Sequence, residues 1–258
     1  MTETIRPSTR FGFSGTTLKY IACGTMLLDH IGASCIESRY SYYAAAPSTL
    51  VTLDLVLRLI GRLAFPIFCF LLVEGFLHTH DVRRYFLQLL GFGLVSELPF
   101  DLAFFHTPFY WGHQNVYWTL ALGVLAMAAL RYFQTAAGAA TWQGLLCAGG
   151  CILLAYLAQT DYDGIGVIII CALYLTRTNR KWQCLVGAVL FAFEITAPLA
   201  FVFLWFYNGQ RGACSKAQKP HFCAVLQAPR CSKAQKWGFY LFYPVHLAVL
   251  AAVTNLLL

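Results

Sequence analysis

Eight blocks of apolar residues, most of them close to the length of a bilayer crossing, dominate this chain. A helix needs about 20 predominantly apolar residues to cross the hydrocarbon at 1.5 Å rise per residue. By hydropathy and length the blocks run roughly over 17–36, 51–77, 84–105, 116–134, 142–159, 163–176, 183–207 and 238–257. Only 11% of the 258 residues are charged, where a soluble domain of this size carries about 25%. The expected fold class is therefore an all-α integral membrane protein of about eight transmembrane helices. The sixth block is short, which suits a tilted or re-entrant segment.

Two stretches stand apart from the blocks. Residues 1–16 are polar and turn-rich, with Arg6, Pro7, Arg10, Gly12 and Gly15, and are expected to form a flexible cytoplasmic tail. They are basic like the start of a signal peptide, yet the block that follows carries Asp29 and His30 and has no clear cleavage site, so it is expected to be retained as a span. Residues 17–258 then form a single polytopic domain, with a long loop at 208–237. That loop holds two copies of Cys-Ser-Lys-Ala-Gln-Lys, at 214–219 and 231–236, which marks 213–236 as an insertion of a kind that loops tolerate cheaply.

The net charge of +7 does not point to nucleic acid, because the basic residues sit mainly in the short segments between apolar blocks. With the N-terminus cytoplasmic, Arg83, Arg84, Arg131, Arg177, Arg180 and Lys181 fall on the cytoplasmic side, and Arg39, Asp161 and Asp163 on the other. An eight-crossing count leaves one misfit: it places the basic loop at 208–237 outside. Ten cysteines do not make a disulfide framework. Seven lie singly in or beside apolar blocks, where cysteine behaves as a small hydrophobe, and no Cys-x-x-Cys occurs. No metal site is expected.

The chemistry resides in charges that should not be inside a membrane. Each costs about 2.5–3.5 kcal/mol on insertion scales and so faces a polar interior. The first block carries Asp29 and His30, the second Arg58, Arg62 and Glu74, the third Glu97 and Asp101, the seventh Glu194 and the eighth Tyr243 and His246. Asp54, Arg58 and Arg62 share one helix face at i, i+4 and i+8, as do Gly93, Glu97 and Asp101. Pro99, between the two acids, interrupts the helix ladder where only protein or a cavity can compensate. Asn115 and Thr119 open the fourth block. Counting rise along each helix brings His30, Arg58, Arg62, Glu97, Asp101 and His246 to a similar depth. A polar intramembrane cavity is the expected result.

Such a set can also be structural, with Arg58 and Arg62 neutralising Glu97 and Asp101. It can equally perform chemistry. A neutral histidine takes a proton from an attacking amine or hydroxyl, and arginines bind phosphates or a developing oxyanion. Asp29 and His30 point about 100° apart on one helix, so the partner that orients His30 is expected from another helix.

An ordered series runs through the chain: Asp29-His30-Ile-Gly32, Arg58-Leu-Ile-Gly61-Arg62-Leu-Ala-Phe-Pro66, Glu74-Gly-Phe, Ser96-Glu97-Leu-Pro-Phe-Asp101, Asn115-Val-Tyr-Trp-Thr119, Asp161-Tyr-Asp-Gly164 and Tyr243-Pro-Val-His246. It resembles TraX, the membrane proteins of bacterial conjugation systems that acetylate the N-terminus of pilin, from about Leu18 to the end. More distantly it is similar to the larger transmembrane acyltransferases. The resemblance implies acyl transfer in the bacterial cytoplasmic membrane, with acetyl-CoA as donor and a peptide N-terminus or a carbohydrate as acceptor. The catalytic set would be His30 as base, with His246 the second candidate, and Asp29, Arg58, Arg62, Glu97 and Asp101. Asn115, Thr119, Glu74, Asp161 and Tyr243 would bind donor or acceptor. A transporter with a charged intramembrane pathway is the alternative, and a haem carrier ligated by His30 and His246 a third. No Gly-x-Ser-x-Gly elbow or Walker loop occurs to support a serine hydrolase or a P-loop enzyme.

Overall fold

A computed structural model describes residues 12–38, 47–136, 138–210 and 233–257. Helix α1 (Gly15–Ile31) starts at Ser14, whose hydroxyl accepts the Thr17 N–H, and continues as a π-helical segment over Gly32–Glu37. The second apolar block forms α2 (Ser48–Gly61) and α3 (Ala64–His78), which join through Arg62 and Leu63 without leaving right-handed backbone. Together they make one 31-residue rod. Asp81 caps α4 (Val82–Phe104), which runs through Pro99. Asn115 caps α5 (Val116–Tyr132), Thr141 caps α6 (Trp142–Leu157), and α7 (Asp163–Leu175) begins after a turn at Tyr162. Then come α8 (Arg180–Leu190), a short 3-10 turn at Ala197–Leu199, α9 (Ala200–Trp205) and α10 (Lys233–Leu257).

The molecule is a helical membrane protein. Among the described residues three rods, Ser48–His78, Val82–Phe104 and Lys236–Asn255, are long and apolar enough to cross a bilayer, and α5, α6 and α7 are shorter apolar helices. Leu94, Val95, Leu98, Leu145, Leu146, Leu153, Leu154 and Leu157 are exposed on the outer faces of α4 and α6. A belt of that kind has no place in water and matches hydrocarbon. Inside, Leu18, Phe70, Phe76, Met127, Ile170, Leu173 and Leu247 pack into one core.

The block expected to be a seventh crossing, 183–207, folds back on itself. Its helix stops at Leu190, turns through Glu194 and Thr196, and returns as α9. The guanidinium of Arg180, at the start of α8, lies 5.1 Å from the Tyr207 ring just past the end of α9. Both ends of the segment therefore lie at the same end of the bundle. Pro198 has no N–H to continue a ladder, while Thr196 donates to the Leu59 carbonyl and Glu194 accepts from Arg62. Irregular backbone away from water needs such protein partners.

The returning end of that hairpin lies beside the start of α1. Phe13 bridges to Tyr207, Gly15 N–H reaches the Gln210 carbonyl, and Gly12 passes so close to the Phe206 carbonyl that a Cβ there would clash. Residues 12–16, expected to belong to a flexible tail, are thus anchored. The loop at 208–237 leaves and re-enters at the N-terminal end of α1, not at the opposite end. The rest of the tail and of the inserted loop, with Cys214, Cys223 and Cys231, lies outside the described residues. The other seven cysteines are free thiols.

Candidate functional site

Two glycines set the first contact. A Cβ on Gly61 of α2 would strike the Asp29 side chain, and a Cβ on Gly32 would strike those of Asp54 and Arg58. Each glycine sits beneath a charged residue of the facing helix, so α1 and α2 approach closely enough for ion pairing. Arg58 Nη1 lies 2.6 Å from Asp29 Oδ2, and its Nε lies 3.2 Å from Glu37 Oε1. One turn on, Arg62 Nη1 lies 3.0 Å from Glu194 Oε1, at the tip of the hairpin. These carboxylates, and not Glu97 or Asp101, are the partners of the two arginines. Helical spacing defines a face; which acid meets it depends on the tertiary fold.

His30 meets His246. The two rings are 13° from parallel with centroids 4.9 Å apart, and His30 Nδ1 lies 2.6 Å from His246 Nε2, an end-to-end contact. His246 Nδ1 lies 2.6 Å from the Phe242 carbonyl oxygen. A carbonyl only accepts, so His246 carries its proton on Nδ1 and, as a neutral ring, accepts at Nε2. His30 therefore donates from Nδ1, and its Nε2 keeps a lone pair. Phe104 and Tyr243 hold the His30 ring by edge contacts at 5.4 and 5.7 Å. The direct nitrogen contact leaves no gap for a haem iron between the two rings.

A cavity of about 750 Å³ opens here, lined by Asp29, His30, Glu37, Arg58, Arg62, His113, Asp161, Tyr162 and Tyr243 among others. Six of the twelve residues expected from sequence thus share one wall, and His246 stands behind His30. The remaining five do other work. Glu97 accepts from the Trp118 indole at 2.9 Å and from the Asn115 amide, which also donates to the Gly93 carbonyl at 2.8 Å. Asn115, expected to offer a donor to substrate, is fully buried in this α4–α5 clasp. Asp101 accepts the Tyr110 N–H at 2.8 Å and shapes the following loop. Thr119 donates to the Asp161 carbonyl and is hydrogen-bonded to the Thr160 hydroxyl, pinning the turn before α7. Glu74 lies elsewhere, 3.5 Å from Arg180.

Three cavity residues escape sequence reasoning. Glu37 ends the first apolar block and reads as an interfacial charge. His113 sits in a polar loop, where nothing marks it as unusual. Backbone hydrogen bonds from Gln114 N–H to the Gln159 carbonyl and from Asp161 N–H to the Gln114 carbonyl join that loop to the turn before α7. His113 Nε2 then lies 3.7 Å from Asp161 Oδ1. This contact, with the charges of Asp163 and Glu97 behind it, holds the His113 imidazole above its usual value against the opposing effect of burial. Tyr162 adopts φ +64° and Asp163 φ +45°, a region that residues with a Cβ rarely enter and that often marks functional sites. The turn stacks Tyr162 on Phe65 with centroids 3.7 Å apart and brings its hydroxyl to Arg62 and Glu194. The Asp161-Tyr-Asp-Gly164 segment was the available signal.

The family described as TraX protein matches residues 14–254, a span that takes in every residue of this cavity. The chain belongs to the TraX family. It is similar to the probable fimbrial assembly protein FimC, serogroup H1, of Dichelobacter nodosus, with 27% identity over 272 residues, covering 95% of this chain and 97% of that relative. No solved structure matches the chain. The arrangement at His30 is thus that of a TraX protein, described from its own residues.

Proposed function

We propose that the cavity transfers an acetyl group from acetyl-CoA to an amine or hydroxyl acceptor such as a pilin-like N-terminus. The observation that carries this reading is the hydrogen-bonded His30–His246 pair beside Arg58 and Arg62. His30 Nε2 is the lone pair available to the cavity. It takes the proton from the acceptor nitrogen or oxygen as that atom attacks the thioester carbonyl. The imidazolium that forms keeps its Nδ1–H bond to His246, which fixes the ring and spreads the charge. Arg58 and Arg62 retain N–H groups beyond those their carboxylates occupy, and these stabilise the developing oxyanion. On collapse the carbon–sulfur bond breaks and the sulfur leaves with the proton held by His30.

Asp29 positions Arg58 for its part in oxyanion stabilisation through Oδ2, while its Oδ1 is packed against Gly61. The name of the fimbrial assembly relative agrees with a pilin-like acceptor.

In this reading seven units cross the bacterial cytoplasmic membrane: α1 with its π segment, α2–α3, α4, α5, α6, α7 and α10. The α8–α9 hairpin is re-entrant, one crossing fewer than the eight apolar blocks suggest. With the N-terminus inside, the basic loop at 208–237 then joins Arg83, Arg84, Arg131 and Arg177 on the cytoplasmic side, as the positive-inside rule requires. The cavity lies toward the outer half.

The test is mass spectrometry of a peptide with a free N-terminus, incubated with acetyl-CoA and the purified chain in detergent. Wild type is expected to add one acetyl group to the peptide, and His30→Ala to add none. Solute movement across proteoliposomes without consumption of acetyl-CoA would replace this reading with transport.

A further inference from the structure

A second cavity, of about 820 Å³, lies at the other end of α1, with Gly15, Lys19, His78, His80 and Lys236 around it. The acid in its wall, Glu74, pairs with Arg180, and two lysines and two imidazoles line the space. His78 Nδ1 is bound to the Glu74 carbonyl, so only its Nε2 is available to a ligand. Such a set suits a multiply charged anion, with phosphate oxygens as the natural match for lysine ammonium groups.

The two cavities adjoin. Phe68, Tyr117, Leu120 and Phe239 line both, an apolar wall shared by the cationic end and the histidine end. Lys19 rests on the Phe239 ring at 5.3 Å, so that wall and the cationic mouth share a side chain. Along α1, Lys19 and His30 are eleven residues apart, about 16 Å at 1.5 Å per residue. A pantetheine arm has on the order of twelve bonds between its phosphate and its sulfur and extends roughly 14 Å at about 1.2 Å per bond. Side chains at both ends close the small remainder.

We infer that the second cavity holds the phosphate-bearing nucleotide end of the thioester donor, and that the arm passes through the Phe68–Tyr117–Leu120–Phe239 wall to present the acyl carbon at His30. The inference rests on the acyl-transfer reading and adds to it where the donor binds and from which end it enters. The donor reaches the chemistry from the N-terminal end of α1, whereas the acceptor uses the cavity at the opposite end. The two substrates never share a mouth.

The experiment is equilibrium binding of free CoA to the full chain in detergent, comparing wild type with K19Q/K236Q, K19R/K236R, H30A and L120W. Removing both ammonium groups is expected to weaken CoA by about tenfold or more, in line with the loss of charge-assisted hydrogen bonds. The arginine pair and H30A should stay close to wild type. L120W, which adds bulk to that wall, should still bind CoA, which also shows that it is folded, but should transfer no acetyl group. CoA affinity unchanged in K19Q/K236Q, or abolished in H30A, would overturn the inference. CoA binding that follows the lysines without transfer to any acceptor keeps this site and rejects acyl transfer. Transfer whose KM for acetyl-CoA ignores the lysines keeps acyl transfer and rejects this site.

Discussion

His30 and His246 lie 216 positions apart in the chain and meet at 2.6 Å, nitrogen to nitrogen. The contact bears on a question the sequence leaves open, which of two intramembrane histidines is the base. In the proposed transfer they act as a pair with unequal roles. His246 is bound at both nitrogens, to Phe242 and to His30, so only His30 has a nitrogen for substrate. Replacing His30 with Ala should lower kcat by about 10²- to 10⁴-fold, the usual worth of a positioned general base. His246→Ala should cost less, because it removes the orienting partner and leaves the base in place. Steady-state kinetics on the two variants check the order. A larger loss in His246→Ala would reverse the roles.

The Arg58–Asp29 pair should matter to stability as well as to chemistry. Stripping one member from a buried pair costs about 3–5 kcal/mol. Here the side chains keep 23% and 16% of their exposure, so some of that cost is screened. Arg58→Ala is expected to destabilise by about 2 kcal/mol, with the double variant Arg58→Ala/Asp29→Ala recovering part of it. Thermal unfolding in detergent reads both. An Arg58→Ala variant as stable as wild type would show that the pair contributes nothing to holding α1 against α2.

Much of this site is visible in the sequence because charges in apolar blocks are expensive. On that ground alone Asp29, His30, Arg58, Arg62 and His246 stand out, and the structure brings them to one place. Partners do not stand out in the same way. Arg58 meets Glu37, an acid at the end of an apolar block, and Arg62 meets Glu194 on a segment that hydropathy reads as a crossing. Apolar composition says that 183–207 is buried in lipid or protein, and a hairpin satisfies it as well as a straight helix does. Tyr162 is hidden for a different reason: its role depends on a left-handed backbone that tyrosine does not favour, and Thr119, on α5, holds that turn through Thr160 and Asp161.

Gly61 should tolerate no side chain. A methyl there meets Asp29, and overpacking of this kind typically costs about 1–3 kcal/mol. Gly61→Ala is expected to lower both melting temperature and transfer activity. Gly24 lies in the same bundle, on α1, where an added methyl would meet nothing within 4 Å, so Gly24→Ala should be neutral or stabilising by about 0.5–1 kcal/mol. Equal effects at the two glycines would mean that close approach of α1 and α2 is not what Gly61 provides.

The His113–Asp161 contact gives a pH dependence of definite sign. His113 is held above its usual value, so the folded protein favours its protonated form. The stabilisation is fully present below about pH 6.5, the unfolded value, and is lost as pH rises through the higher folded value. Protection of the 110–114 and 159–162 backbone amides from hydrogen exchange, corrected for intrinsic rate, should therefore decline with rising pH across that window. In His113→Gln the profile should be flat. A wild-type profile that is flat, or that rises with pH, would rule out a stabilising charge contact here.

The most direct test of the central claim is release of free CoA from acetyl-CoA by the purified chain, with a free-N-terminus peptide present and with His30→Ala beside wild type. The predicted result is release that requires both the peptide and His30, one CoA for each acetyl group gained by the peptide. Release that persists undiminished in His30→Ala, or its complete absence from a wild-type protein shown to bind CoA and peptide together, would contradict it.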